Sequence, residues 1–311
     1  MKVVFMGSPA FALPALQALM VNKYDISAVY TQPDKKTGRG QQVTACPVKQ
    51  FAAGAGMRVI QPESFRDTGE VELLAGLIPD IIIVAAYGQI LPEAVLQIPQ
   101  HKCINIHPSL LPGYRGPSPV AAAILNGDAQ TGVTIMLIER KVDSGPIVAQ
   151  VPVSIRDDDT TGSLTGRLAK TGAELMLDTL PAWVSGTIQP LIQDESRASY
   201  TRMGKKEDGE LDWKWPAVQL WRKVRAFNPW PGCYVKWMGS RIKIVTAVPL
   251  ADTEKGRAGQ VIALPRGEVT RVAVRTGEGL LGLVTVQPEG KREMTAGDFT
   301  AGHRNFVGSV L

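Results

Sequence analysis

Residues 81–86, Ile-Ile-Ile-Val-Ala-Ala, are apolar at every position. A run of that length without alternation predicts a strand buried on both faces, as in a parallel sheet. Residues 103–107, Cys-Ile-Asn-Ile-His, alternate instead. That period of two sets Asn105 and His107 on one face of a strand, which Pro108 then ends because it cannot donate to a ladder. Further short apolar runs predict strands over 2–6, 26–31, 57–60 and 133–138. Helical periodicity is expected over 12–20, 48–54, 71–77 and 120–126, and over 164–180 as a long closing helix. Strands alternating with helices predict an α/β fold, with a Rossmann-like, doubly wound, mainly parallel sheet. Such sheets hold their ligands beyond the carboxyl ends of the strands, where Asn105 and His107 stand.

The pattern changes after Pro190. The stretch 191–208 is largely polar and aperiodic and predicts a linker. Beyond it, short strand-like runs at 234–237, 242–247, 259–264, 271–275 and 281–286 are separated by turn signals such as Met238-Gly239-Ser240. With one helix at 217–227, they predict a small OB-like β-barrel, a common nucleic-acid platform. The expected division is therefore a catalytic domain over 1–190, a linker over 191–208 and a C-terminal domain over 209–311. No internal repeat or low-complexity tract interrupts it.

Composition narrows the function classes. The 311 residues suffice for two cores, and 44% hydrophobic and 20% charged residues are ordinary for a globular protein. Cys46, Cys103 and Cys233 show no metal-ligand spacing, and only His101, His107 and His303 could join them, so no metal is expected. Sparse, odd cysteines suit a reducing cytoplasm. Residues 1–21 are broken by Pro9 and Pro14 and read as a first strand and helix, not a signal peptide. The longest apolar run, 81–87, is far too short to span a bilayer. The chain is expected to be a cytoplasmic monomer.

Formal charge is +5, unevenly spread. Residues 209–311 carry 15 Lys+Arg against 9 Asp+Glu, a net +6, and the remainder is −1. A basic last third hints at a polyanionic partner, although many basic surfaces are merely solvated. A nicotinamide-binding reading of the sheet fails at its first turn. Gly7-Ser8-Pro9-Ala10-Phe11-Ala12 has one glycine where the dinucleotide fingerprint needs three, and Pro9 removes a backbone donor.

Asn105, His107 and Asp143, the last in a Val142-Asp143-Ser144-Gly145 turn, form a candidate proton-handling trio. An amide and an imidazole can donate to a developing oxyanion and exchange a proton. From spacing alone, a turn-stabilising aspartate is the favoured reading of Asp143, and a structural, hydrogen-bonded histidine is a similarly good reading of His107. Lys35, Lys36 and Arg39, interleaved with Gly38 and Gly40, suit phosphates and base edges of RNA, or simply a solvated loop. Five of six tryptophans (Trp213, Trp215, Trp221, Trp230, Trp237) fall within 25 residues, where packing is favoured over base stacking.

The segment Asn105-Ile106-His107-Pro108-Ser109-Leu110-Leu111-Pro112, with Asp143-Ser144-Gly145, resembles the signature of the folate-dependent formyltransferases. Residues 31–40, Thr-Gln-Pro-Asp-Lys-Lys-Thr-Gly-Arg-Gly, and residues 226–232, Ala-Phe-Asn-Pro-Trp-Pro-Gly, resemble the members that act on methionyl initiator tRNA. The resemblance covers nearly the whole chain. Pro108, Gly116-Pro117-Ser118-Pro119 and Glu139-Arg140-Lys141 depart from the usual pattern, but none removes a reacting group.

The resemblance implies formyl transfer from 10-formyltetrahydrofolate to the α-amine of methionyl initiator tRNA. It implies that Asn105, His107 and Asp143 are catalytic, and that Lys35, Lys36 and Arg39 meet the RNA. Ser109, Leu110, Leu111 and Pro112, with Ala86, Tyr87 and Gly88, are implied to line the folate site. Alternatives are a formyltransferase for a nucleotide or amino sugar, and a non-catalytic RNA-binding protein on the same fold.

Overall fold

The computed structural model describes residues 1–37, 42–252, 256–265 and 267–311. Arg39 lies outside the described residues, as does the side chain of Lys36. The chain divides into two compact units, the first comprising Met1–Pro119, Gln130–Ser154 and Thr165–Thr201. No helix among the described residues is long and apolar enough to cross a membrane.

The strands of the first unit are β1 (Lys2–Gly7), β2 (Asp25–Tyr30), β3 (Lys35–Thr37), β4 (Gln42–Thr44), β5 (Val59–Ile60), β6 (Ile81–Ala85), β7 (Cys103–His107), β8 (Gln130–Leu137) and β9 (Ile147–Ser154). Seven of them form one sheet in the order β5-β2-β1-β6-β7-β8-β9, while β3 and β4 pair as a separate hairpin. The ladders from β5 to β7 are parallel, and those of β8 with β7 and β9 are antiparallel. The mainly parallel, Rossmann-like expectation holds. All five residues of β6 are buried, as its unbroken apolar run requires. Chain order reverses at β1, between β2 and β6, so the carboxyl ends of β1, β6 and β7 flank a topological switch point.

The helices are α1 (Leu13–Val21), α2 (Pro47–Gly54), α3 (Thr68–Gly76), the single turn α4 (Glu93–Leu96), α5 (Pro119–Asn126) and α6 (Thr161–Val184). Leu74 of α3 and Val95 of α4 pack with Val4, Met6, Tyr30 and Ile82 in one core cluster. Gly172 of α6 lies so close to Ile106 that a Cβ there would sit 2.7 Å from Ile106 Cγ2. That contact covers the Ile106 face of β7 and turns Asn105 and His107 the other way.

Three features differ from the sequence expectation. β9 was not expected, because its outer half alternates between half-buried and exposed and contains Pro152. The basic loop begins as the β3–β4 hairpin. The stretch 191–208 is not a bare connector: Leu191 pairs with Ile147, and Arg115 exchanges backbone bonds with Ser199 and Thr201. Within this stretch, residues up to Thr201 belong to the first unit and those from Arg202 to the second.

The second unit comprises Val120–Ala129, Ile155–Leu164 and Arg202–Leu311. It takes in α5 from Val120 onward and the first turn of α6, and its other helices are α7 (Ala217–Ala226) and α8 (Ala296–Gly302). Its strands are β10 (Cys233–Trp237), β11 (Ser240–Leu250), β12 (Val261–Ala263), β13 (Val272–Arg275), β14 (Leu280–Pro288) and β15 (Met294–Thr295). They form an antiparallel sheet in the order β10-β11-β14-β13-β12, with β15 on β14. No ladder joins β10 to β12 among the described residues, so the OB-like sheet is an open path. Leu220 and Val224 of α7 and Phe299 of α8 complete its core. Trp213, Trp221 and Trp237 pack into or against that core, whereas Trp215 and Trp230 are exposed.

Candidate active site

Asn105 and His107 leave β7 side by side. Asn105 lies in register between Val84 of β6 and Met136 of β8, and His107 opposite Thr134. The Asn105 side chain is half-buried, and its amide makes no hydrogen bond to another described residue. His107 is buried. Its Nε2 lies 3.1 Å from the carbonyl oxygen of Tyr114. A carbonyl can only accept, so Nε2 carries a proton whether the ring is neutral or charged. In the neutral ring the lone pair then sits on Nδ1, 3.6 Å from Asp143 Oδ2. Burial pushes the His107 pKa below its ordinary value, against the opposite pull of the Asp143 carboxylate and the Tyr114 carbonyl. Desolvation wins, and the resting ring is neutral with a free acceptor facing a carboxylate.

The loop after His107 is tied from within. The Ser109 hydroxyl donates to the Gly113 carbonyl at 2.7 Å, and the Thr134 hydroxyl donates to the Ser109 carbonyl at 2.6 Å. The Leu111 N–H donates to Thr134 Oγ1, and Gln150 Nε2 donates to both Thr134 Oγ1 and the Leu111 carbonyl. Leu111 packs with Met136 and Ile147. Gly132 of β8 leaves room for Leu110 where a Cβ would clash. The side chains of Ser109, Leu110 and Leu111 are thus committed to holding the loop, and Pro112 is half-buried.

Asp143 comes from the turn between β8 and β9. Its φ of 51° lies in the left-handed region, which aspartate tolerates better than most residues. Gly145 follows because a Cβ there would strike the Leu137 carbonyl. Asp143 Oδ2 also accepts from the Gly116 N–H at 2.8 Å. Gly116 has φ 103° and lies against Thr201, 2.8 Å from a Cβ position to the Thr201 carbonyl. Sequence reasoning missed two residues that support this turn: Arg115, which it did not single out, and Gln193, which fell in the expected linker. Both are buried and bonded to each other. Neither leaves a local signal, because their partners lie 48 to 85 positions away in sequence.

Ala86, Tyr87 and Gly88 lie at the carboxyl end of β6. Ala86 and Gly88 are exposed, with φ of 48° and 80°. Tyr87 is buried against Phe65, and burial pushes its phenol pKa upward. The Gly88 carbonyl accepts from Gln32 Nε2 at 2.9 Å, and Gln32 Oε1 accepts from Lys35 Nζ at 2.8 Å. The start of the basic loop is therefore linked by side chains to the Gly88 segment. Asp34, paired with Lys49 at 2.6 Å and bonded by Gln61, anchors it further.

Residues 1–180 match the formyl transferase profile, and residues 204–304 match that of the formyl transferase C-terminal domain. A methionyl-tRNA formyltransferase of Roseiflexus sp. (strain RS-1) is 49% identical, covering 100% of this chain and 95% of the relative. That of Halalkalibacterium halodurans is 43% identical, covering 100% and 98%. Among solved structures, HypX from Aquifex aeolicus in complex with tetrahydrofolic acid shares the fold, with a TM-score of 0.67 at 20% identity over 99% of this chain and 48% of that one. An N-formyltransferase from Helicobacter canadensis shares it with a TM-score of 0.66 at 18% identity over 91% and 99%. The chain belongs to the formyl transferase family and, within it, to the methionyl-tRNA formyltransferases.

Proposed function

We propose that this chain transfers the formyl group of 10-formyltetrahydrofolate to the α-amine of methionyl initiator tRNA, for translation initiation. The observation that carries this reading is the placement of His107 between Tyr114 and Asp143. The His107 Nε2–H is committed to Tyr114, and its Nδ1 faces Asp143 beside an Asn105 amide that no described residue bonds.

The roles follow from that placement. An α-amine with pKa near 8 arrives partly protonated and must lose a proton to attack. His107 Nδ1 accepts it, and the Asp143 carboxylate favours the imidazolium that forms. As the amine nitrogen bonds to the formyl carbon, the carbonyl electron pair moves onto oxygen. The Asn105 amide and the new Nδ1–H donate to that oxyanion. Collapse breaks the bond from carbon to folate nitrogen; the imidazolium gives its proton to the departing amine, and the attacking nitrogen releases its second proton to solvent as the amide forms. Direct donation by the resting histidine, the simpler expectation, is not open to a ring whose only N–H is already used.

Ala86, Tyr87 and Gly88, with loop residues Ser109, Leu110, Leu111 and Pro112, would border the folate. The fit rests on exposed main chain at Ala86 and Gly88 and on a loop whose shape is fixed internally. Lys35, Lys36, Arg39 and the net +6 of residues 209–311 would meet the RNA.

The test is incubation with 10-formyltetrahydrofolate and either methionyl initiator tRNA or small amines, including glycinamide ribonucleotide. Formyl-methionyl-tRNA is expected. Asn105→Ala, His107→Ala and Asp143→Ala should each lower turnover about 10²–10³-fold. A formylated small amine with no formylated tRNA would overturn the substrate, and full turnover by the His107 variant would overturn the mechanism.

A further inference from the structure

The backbone of Asp143 is held by a residue fifty positions away. Gln193 is buried, and its Nε2 donates to the carbonyl of Asp143 at 2.9 Å and to that of Gly145 at 2.7 Å. Its Oε1 accepts from Arg115 Nε at 3.1 Å and from Arg115 Nη2 at 2.9 Å. Both protons and both lone pairs of the amide are therefore used. Arg115 fixes the orientation, because a flipped amide would set its NH₂ group against guanidinium donors. One residue on, the Gly116 N–H donates to Asp143 Oδ2. Asp143 is thus held at its main chain by Gln193 and at its carboxylate by the loop that Arg115 anchors.

We infer that Gln193 is a positioning residue for catalysis, clamping the left-handed turn so that the Asp143 carboxylate faces His107 Nδ1. The inference rests on the role proposed above for Asp143. A non-glycine residue in that conformation is strained and persists only where its surroundings over-determine it. Without the two donors the turn relaxes and the carboxylate leaves its place. Asp143 is the one charged group acting on the His107 ring among the described residues, and the Tyr114 carbonyl is the ring's other polar partner. Displacing the carboxylate therefore makes the imidazolium harder to form.

The test uses the full chain with Gln193→Ala and Gln193→Glu. The glutamate variant keeps an acceptor for the buried Arg115 and gives up both donors, so it carries the test even if the alanine variant fails to fold. Turnover with 10-formyltetrahydrofolate and methionyl initiator tRNA is expected to fall about 10²-fold in both, as for a misplaced catalytic group, with both KM values near wild type. In the alanine variant, the His107 imidazole should titrate at lower pH than in wild type when followed by NMR without substrates. With three histidines in the chain, a His107→Asn spectrum assigns it. Wild-type turnover in the glutamate variant, or an unmoved His107 titration in a folded alanine variant, would overturn the inference. Asp143→Asn separates the two levels. If that variant is inactive while the Gln193 variants are normal, only the inference fails. If it is fully active, the reading of Asp143 fails and the inference falls with it.

Discussion

Arg115 holds Glu195 with a forked pair of hydrogen bonds, Nη1 to Oε2 at 3.2 Å and Nη2 to Oε1 at 2.8 Å. Arg202 holds Asp208 in the same manner, at 2.7 and 2.9 Å. The first pair lies in the first unit and the second in the other. Their surroundings differ far more than their geometry. The Arg115 side chain is fully buried, with Gln193 and Tyr200 as further partners, whereas that of Arg202 is 68% exposed. Water can replace one arginine and not the other. The buried arginine, whose Glu195 partner is itself 62% exposed, organises the loop and turn that carry the candidate site. The exposed fork closes a stretch of seven residues, Arg202–Asp208.

The comparison breaks first at Arg115→Met. Methionine fills much of the volume but leaves Gln193 Oε1 buried without a donor, a penalty of about 1–3 kcal/mol. In a chain of this size that lowers the melting midpoint by several degrees. Turnover should fall as well, because the amide that holds Asp143 loses its own anchor. Thermal melting and steady-state kinetics read the two effects. A midpoint and turnover both at wild type would mean that burial does not distinguish the forks.

Acid sharpens the contrast. Burial holds the folded His107 imidazole neutral below its ordinary pKa, so the unfolded chain binds that proton first. Stability present at neutral pH should therefore decline as pH falls below about 6.5, toward the lowered pKa. Urea midpoints measured at pH 7, 6 and 5 should fall less steeply for His107→Gln than for wild type. Equal slopes would place the loss elsewhere. The turnover of the wild-type enzyme should decline in the same direction, because a protonated Nδ1 can accept nothing.

These two expectations also mark the limit of local sequence patterns. β6 was legible because burial on both faces forbids polar residues, and β7 because its alternation ends at a proline. Asn105 and His107 followed from the period of two. β9 was hidden by Gln150 and Pro152, although Gln150 is there to bond Thr134 and Leu111. Gln193 and Arg115 were hidden for a different reason. A long-range hydrogen bond imposes no period on its neighbours, so a residue clamping a turn fifty positions away looks like any polar residue in a polar stretch. The apparent linker was the least legible part of the chain and holds the site's support.

The smallest effect is expected at the exposed fork. Arg202 is the main reason that the Asp208 carboxyl is held down at about 2, with the Lys205 N–H a second donor at 2.8 Å. In Arg202→Ala that second donor remains and water solvates the freed carboxylate, so the melting midpoint at pH 7 should fall only slightly. The difference should disappear in acid. A carboxyl with a depressed folded pKa contributes stability above its unfolded pKa, near 3.9, and loses it as pH falls through the folded value. In wild type that loss should run from about 4 down to about 2. In the variant the Asp208 pKa should rise toward its ordinary value, and the stability curves of the two proteins should converge below about pH 2. Carboxyl NMR of Asp208 measures the shift directly. If Arg202→Ala instead lowered the midpoint at pH 7 as far as Arg115→Met, the fork itself would be the stabilising element, and the protein around Arg115 would add nothing to it.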